Sequence, residues 1–151
     1  MFAANAVSLS SAAGVALPLS LWTWTADSRY FALSVTVVLA AIGTEWLKHA
    51  VVWAGAGAWS RRPVGAKDCD MWCVGGPVGG APGFPSGHMM TATLLVTGLW
   101  LITRSPVVLW VGVPWVLAMA WARWAKQCHS VVQIVAGAVL GWAIGRWLIS
   151  K

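Results

Sequence analysis

The sequence predicts an all-α protein of the membrane: a polytopic bundle of about five transmembrane helices with one long connecting loop. Of the 151 residues, 59% are hydrophobic and only 9% are charged, whereas soluble domains carry about 25% charged residues. The apolar residues form long stretches, and the short segments between them hold nearly all the charges. A helix needs about 20 apolar residues to cross a bilayer, and irregular backbone cannot face hydrocarbon. Each apolar stretch is therefore interpreted as a transmembrane helix.

The predicted spans cover, in order, residues 5–24, 30–58, 87–103, 106–122 and 130–149. The first contains Pro18, and because it lacks the basic residues that open a secretory signal, we expect a retained span rather than a cleaved peptide. The fourth contains Pro114, where a kink is expected.

The second span holds Glu45, Lys48 and His49, which are unusual at membrane depth. Ionisable groups there are costly and tend to be paired or functional. The spacing of Glu45 and Lys48 favours an ion pair on one helix face that closes the bundle.

Residues 60–88 form the only long connection, dense in Gly, Pro and charge. A loop of this length in so small a protein is usually functional or disordered. Alternation of five spans places it on the same face as the amino terminus and the short connection at residues 123–129. We therefore expect the two chemically richest segments to meet.

The basic residues distribute almost evenly between the two faces, with a slight lean that places the active face on the lumenal, periplasmic or extracellular side. Apart from the candidate site residues, the two sets are Arg61, Lys67 and Lys126 on the active face, against Arg29, Arg104, Arg146 and Lys151 on the other. The net charge of +6 is scattered among apolar segments. It therefore indicates a phosphate or anionic-lipid partner rather than nucleic acid. The sequence leaves the oligomeric state open.

Three cysteines, Cys69, Cys73 and Cys128, lie in predicted loops on one face. Two of them would pair in an oxidising compartment, and otherwise they are ordinary loop thiols. No second pair at metal-ligand spacing completes a zinc site.

Pro85, Ser86, Gly87 and His88 lie where the Gly-rich loop enters the third span. Ser86 is a good helix-capping residue, and the free N–H groups of the first turn point toward the loop. A phosphate bound there would meet the positive end of the helix dipole, the Ser86 hydroxyl, the Gly87 amide and the His88 ring. The alternative is a capped helix start that binds nothing.

A second constellation lies between the fourth and fifth spans, where Arg123 precedes His129 with five residues between them. Gln133 follows His129 by one helical turn, so its side chain can reach one ring nitrogen while the other faces the loop. Together with Arg62 and His88, these residues gather basic groups on one face.

These motifs resemble the signatures of the type 2 phosphatidic acid phosphatase superfamily, which includes lipid phosphatases and vanadium haloperoxidases. The signatures are a Lys followed seven residues later by Arg-Pro, then Pro-Ser-Gly-His, then Ser-Arg-x5-His-x3-Asp. This chain supplies Arg62-Pro63, the block ending in His88, and Arg123-x5-His129-x3-Gln133, in that order. The resemblance covers about residues 45–140, the expected catalytic core of a single membrane domain over residues 1–151.

The resemblance implies that His129 is the nucleophile that forms a phosphohistidine and that His88 protonates the leaving alcohol. It implies further that Gln133 orients His129, and that the phosphoryl oxygens are held by Arg62, Ser86, Gly87 and Arg123. Phosphoryl transfer requires mainly positioning and charge neutralisation, which Arg side chains supply bidentately. We therefore expect neither a metal ion nor a cofactor.

The chain departs from the signatures at three positions. The signature Lys would stand at Gly55, and Lys48 lies a further seven residues upstream. Along a regular helix at about 1.5 Å per residue, Lys48 would lie about 21 Å from Arg62, too far to replace the signature Lys directly. Gln133 replaces Asp, and Ala122 replaces the Ser before the Arg.

Three sources of the missing charge remain open. A helix break at Gly55 and Gly57 would bring Lys48 nearer, or Lys67 or Arg61 would supply the charge. Gln133 can accept a hydrogen bond from the imidazole but adds no negative charge, so slow turnover is expected.

The function expected from the resemblance is a metal-independent phosphoric monoester hydrolase of the membrane. Its substrate would be a lipid phosphate or a polyprenyl phosphate or diphosphate. The alternative is a membrane structural or assembly protein that has kept the phosphatase framework and lost turnover. A channel or transporter would need polar residues along one helix through the bilayer midplane, which only the second span approaches.

Overall fold

The computed structural model describes residues 1–149, and the side chains of residues 1–147. Lys151, counted above with the basic residues of the opposite face, lies outside the described residues. Within residues 1–149 all regular secondary structure is helical, with no β-strand. This confirms the predicted fold class.

Six α-helices follow one another along residues 1–149. They are α1 (Phe2–Leu9), α2 (Ala13–Thr25), α3 (Ser28–Trp53), α4 (Gly87–Thr103), α5 (Pro106–Ala125) and α6 (Val131–Ile149). A 3₁₀ turn at Ser10–Ala12 joins α1 to α2, so that Phe2–Thr25 forms one helical segment. Phe2–Thr25, Ser28–Trp53 and Pro106–Ala125 are long and apolar enough to cross a membrane, whereas α4 and α6 are shorter apolar helices.

Local signals in the sequence set the helix ends. α3 begins after Asp27, whose carboxylate accepts a hydrogen bond from the Arg29 amide at 3.0 Å, as an N-cap does. α5 begins with Pro106. Proline lacks a backbone N–H, and at the first helical position that group would have no partner within the helix. α3 ends at Trp53 rather than near residue 58, because Gly55 adopts a φ of +82° that a right-handed helix cannot continue.

Large apolar side chains are exposed on the outer surface of the bundle, while several charged and polar side chains lie inside it. Trp24, Trp53 and Trp110 are 90%, 91% and 80% exposed, whereas Lys48, Arg123 and His129 are at most 4% exposed. This distribution is the reverse of a soluble protein and suits a lipid surround.

α4 occupies the centre of the bundle and packs against α2, α3, α5 and α6. Its contact with α6 depends on Gly137, Gly141 and Gly145, which recur every four residues on one face of α6. A Cβ atom at Gly137 would overlap the carbonyl of Ser86, and one at Gly141 would overlap the carbonyl of Met90. Such small residues let two helix backbones approach closely, as is common between membrane helices.

The long connection between α3 and α4 folds back on itself. Antiparallel bridges join Arg61 to Pro82 and Lys67 to Pro77. A disulfide between Cys69 and Cys128 ties this loop to the connection between α5 and α6, and Cys73 stays a free thiol. The sequence had left open whether any cysteines pair. The two segments expected to meet are thus covalently joined.

Candidate active site

The two segments enclose a cavity of about 300 Å³ at the end of the bundle that holds the long loop. His88, His129, Arg62 and Gly87 all line it. These four residues come from three separate stretches of the chain. The structure therefore brings together the two histidines and one arginine that the sequence singled out.

His129 follows α5 and presents its ring between Arg62 and Gln133. Its Nδ1 lies 3.1 Å from Oε1 of Gln133, and its Nε2 lies 3.4 Å from Nη1 of Arg62. Gln133 therefore reaches back one helical turn to the ring nitrogen, in the geometry that the spacing predicts.

The hydrogen bonds of Gln133 decide which His129 tautomer is present. Its Nε2 donates to the carbonyls of Trp59 at 2.9 Å and Arg61 at 2.8 Å. Because the amide nitrogen serves these two acceptors, Oε1 must face His129, and Nδ1 must carry the ring proton. The lone pair of Nε2 consequently faces Arg62 and the cavity, and it accepts the contact from Nη1 of Arg62 at 3.4 Å.

The environment of His129 also keeps the ring neutral. Burial lowers its pKa well below the ordinary 6.5, and the positive charges of Arg62 and Arg123 lower it further, while the hydrogen bond to Gln133 acts in the opposite direction. Burial likewise lowers the pKa of Arg62, which Glu45 partly offsets. A neutral imidazole beside a guanidinium is an arrangement for nucleophilic attack on an anion.

The start of α4 supplies polar groups without protein partners. Ser86 occupies the N-cap position of α4, but its hydroxyl makes no capping hydrogen bond, contrary to the capping role expected from the sequence. Its Oγ is buried without a hydrogen-bond partner, and so is Nε2 of His88. The Ser86 amide donates to the Gln133 carbonyl at 3.0 Å, which attaches the start of α4 to α6. Buried polar atoms are normally satisfied, so these two atoms retain unused hydrogen-bonding capacity at the start of α4.

Arg123 lies behind the cavity and does not line it. The residue is fully buried; Nη1 donates to the Ser8 hydroxyl at 3.2 Å and Nη2 to the Cys69 carbonyl at 2.6 Å, while Nε has no partner. Ser86, also fully buried, is likewise absent from the cavity wall. Direct contact of these two residues with a phosphate stays a prediction.

Lys48 lines the cavity together with Arg62 and both histidines. A Cβ atom at Gly87 would lie 3.7 Å from Nζ of Lys48 and 3.8 Å from Oε1 of Glu45, so both charges lie beside the first turn of α4. Of the three residues considered for the missing charge, Lys48 lines the cavity and Lys67 and Arg61 do not; the helix ends before Gly55 instead of continuing. Lys48 also donates to Glu45, so the ion pair expected from the spacing is present within the cavity.

Sequence reasoning missed Ser8 and Ser11, which the segment Phe2–Thr25 brings to the site. Ser8 accepts the hydrogen bond from Arg123, and Ser11 lines the cavity. Their spacing of three residues places them on one helix face, but nothing else distinguishes them in a span rich in serine. Within residues 1–149, no group of three or more His, Cys, Asp or Glu side chains is placed to hold a metal ion.

Comparison with known families gives a match over most of the chain. The family model described as the PAP2 superfamily covers residues 29–151.

The chain belongs to the PAP2 superfamily. Members of this superfamily are generally phosphatases, and this assignment carries a phosphatase or haloperoxidase-like function at a coarse level. Comparison with curated proteins and with solved structures found no significant match. The matched region begins after α2 and contains every catalytic and phosphate-binding residue that the sequence signatures indicated.

Proposed function

We propose that this PAP2 protein hydrolyses a lipid phosphate, or a polyprenyl phosphate or diphosphate, through a phosphohistidine on His129. The observation that carries the proposal is the single cavity lined by His88, His129, Arg62 and Lys48. Two imidazoles and two cations around one small space match the requirements of phosphoryl transfer, which are positioning and neutralisation of the equatorial oxygens.

The reaction proceeds in two steps. Nε2 of His129 attacks phosphorus, a nitrogen–phosphorus bond forms, and the bond from phosphorus to the substrate alcohol breaks. His88 gives its proton to the departing alkoxide. Water then attacks phosphorus and loses a proton to His88, the nitrogen–phosphorus bond breaks, and inorganic phosphate leaves with His129 restored.

Arg62 and Lys48 hold the phosphoryl oxygens, and the amide of Gly87 at the start of α4 adds a neutral donor. Arg123 raises the positive potential from behind the cavity and supports the loop through the Cys69 carbonyl. The sequence departures that favoured a structural or assembly protein thus have replacements: Lys48 lines the cavity, and Gln133 contacts His129.

A lipid substrate is supported by an apolar groove of about 730 Å³ that starts beside the catalytic loop. Its wall includes Phe84 and Pro85, which precede Ser86, and continues along α6 through Val135 and Val139. In this proposal the phosphate occupies the cavity and the hydrocarbon chain lies along the groove.

Phosphate release from phosphatidic acid in detergent micelles tests the proposal. His129→Ala is expected to reduce release to background. His88→Ala should slow phosphatidic acid hydrolysis by roughly 10²- to 10⁴-fold, the usual contribution of a general acid. It should slow p-nitrophenyl phosphate much less, because that leaving group needs no proton. Wild-type protein as inert as both variants across lipid phosphates would refute the proposal.

We further propose that the active face lies in an oxidising compartment, the lumen, the periplasm or the cell exterior. The disulfide between Cys69 and Cys128 supports this orientation, because such bonds persist in oxidising compartments. Val64, which is 96% exposed on the same loop, offers a test through Val64→Cys. In sealed membrane vesicles of known sidedness, a membrane-impermeant maleimide should label this variant only from the side equivalent to the lumen, periplasm or cell exterior, whereas labelling only from the cytoplasmic side would reverse the orientation.

A further inference from the structure

The segment Phe2–Thr25 lies outside the region that matches the superfamily, yet it reaches the candidate active site. Ser8 is fully buried and holds Arg123 through a hydrogen bond of 3.2 Å. Ser11, one helical turn later, lines the cavity together with His88, His129, Arg62 and Lys48. The amino-terminal segment is therefore part of the wall around the proposed phosphate.

Ser11 is only 8% exposed, and its buried hydroxyl has no hydrogen-bond partner within the protein. Serines in helices usually donate to a carbonyl one turn earlier. Ser10 does so to Val7 at 2.6 Å, and Ser20 does so to Ala16 at 2.9 Å. Ser11 makes no such bond, so its donor is left for a group inside the cavity.

We propose that the Ser11 hydroxyl donates a hydrogen bond to an oxygen of the phosphate bound in this cavity, which makes the amino-terminal segment a functional part of the active site. The inference rests on the proposed function. The hydroxyl adds a neutral donor to a site whose charged donors, Lys48 and Arg62, come from α3 and the long loop.

Ser10 and Ser11 form a matched pair for the test. Both stand in the same 3₁₀ turn, but Ser10 accepts from Nε1 of Trp115 at 2.8 Å and is absent from the cavity wall. Removing the Ser10 hydroxyl breaks hydrogen bonds, whereas removing the Ser11 hydroxyl removes an unsatisfied buried group. Ser10→Ala should therefore lower the melting temperature and leave kcat/KM unchanged. Ser11→Ala should instead leave the melting temperature no lower than that of wild type and reduce kcat/KM.

The experiment measures the melting temperature in detergent, kcat/KM for phosphatidic acid, and the dissociation constant of inorganic phosphate for wild type and both variants. Ser11→Ala is expected to melt no lower than wild type. Its kcat/KM should fall by roughly 10- to 100-fold and its phosphate dissociation constant should rise by a similar factor, as for loss of a hydrogen bond to a charged group.

The outcomes separate this inference from the proposed function. Unchanged kcat/KM and phosphate affinity in Ser11→Ala, with an active wild type, would overturn the role of Ser11 alone. Wild-type protein that binds phosphate without turnover would overturn the proposed function, while weaker phosphate binding by Ser11→Ala would still support Ser11 as a ligand. Wild-type protein that neither turns over nor binds phosphate would overturn both.

Discussion

Gln133 illustrates at the scale of one residue why this chain departs from the family signature. The signature Asp could accept a hydrogen bond from Nδ1–H of His129 but could not donate to the carbonyls of Trp59 and Arg61. Gln133 does both, with Oε1 on the imidazole and Nε2 on the two carbonyls. Its amide thus fixes the tautomer of His129 and also binds the stretch of loop that carries Arg62.

Replacing Gln133 by an acid should therefore harm the protein. In Gln133→Glu, a nearly isosteric carboxylate would face two carbonyl oxygens at a fully buried position. An uncompensated buried charge costs about 3–5 kcal/mol, so a clear drop in the melting temperature in detergent and a loss of phosphatase activity are expected. A Glu variant that melts with wild type and turns over faster would contradict this account of Gln133.

Lys48 is the residue whose importance the sequence left undecided. Its ammonium lines the cavity, whereas Lys67, another candidate for the missing charge, is exposed on the loop and does not line it. Lys48→Met should lower kcat/KM for phosphatidic acid by roughly 10²- to 10³-fold, the usual loss when one donor to a developing negative charge is removed.

Lys67→Met serves as the charge-matched control and should stay within about twofold of wild type, because exposed charges at a distance are screened. Equal losses in the two variants would mean that only net charge matters, and would remove Lys48 from the site.

The elements of the bundle were largely predictable because apolar runs of suitable length are a local property. The predicted spans agree with the helices to within a few residues except at the end of α3, where the left-handed conformation of Gly55 ends the helix at Trp53. The distance from Lys48 to Arg62 that was expected for an unbroken helix therefore does not apply. The approach of Lys48 to Gly87, like that of Ser11 to the cavity, depends on how separate helices pack, which spacing along one helix does not report.

The contact between α4 and α6 determines how the two catalytic segments face each other, since α4 begins beside His88 and α6 begins just after His129. Gly137→Ala should push against the carbonyl of Ser86, and Gly141→Ala against that of Met90. We expect each to destabilise the protein by about 1–3 kcal/mol, as overpacking does. Only Gly137→Ala should also cause a large loss of kcat/KM, because Ser86 directly precedes the proposed anion site.

Gly43→Ala in α3 is the control, because a Cβ atom there would meet no atom within 4 Å. It should be neutral or stabilise the helix by up to about 1 kcal/mol, from the higher helix propensity of Ala. Melting temperatures and kcat/KM for the three variants would check this, and an equally large activity loss for Gly43→Ala would show that helix packing is not what positions the site.

At the scale of the whole molecule, a disulfide bond links the two chain segments that form the candidate active site. The disulfide joins Cys69 to Cys128 across 59 residues of chain, and the Cys128 carbonyl also accepts from Arg62 at 3.3 Å. The sequence showed three cysteines on one face but could not choose the pair, because pairing depends on the folded path of the loop rather than on spacing.

Removing this bond should loosen the loop that carries Arg62 relative to His129. Cys69→Ser combined with Cys128→Ser is expected to lower the free energy of unfolding by about 2–4 kcal/mol and to reduce phosphatase activity. Cys73→Ser, which leaves the disulfide intact, should retain activity. Dithiothreitol should inhibit wild type but not the double variant, and full activity of the reduced wild type would show that the loop stays in place without the bond.

The central claim is that the two separate segments form one phosphoryl-transfer site with His129 as the nucleophile. Acid-free quenching of the protein with ³²P-labelled phosphatidic acid, followed by proteolysis and mass spectrometry, tests it most directly. The account predicts an acid-labile, base-stable phosphoryl adduct on His129 that is absent from His129→Ala. Turnover with the label on another residue, or an adduct that persists in His129→Ala, would contradict it.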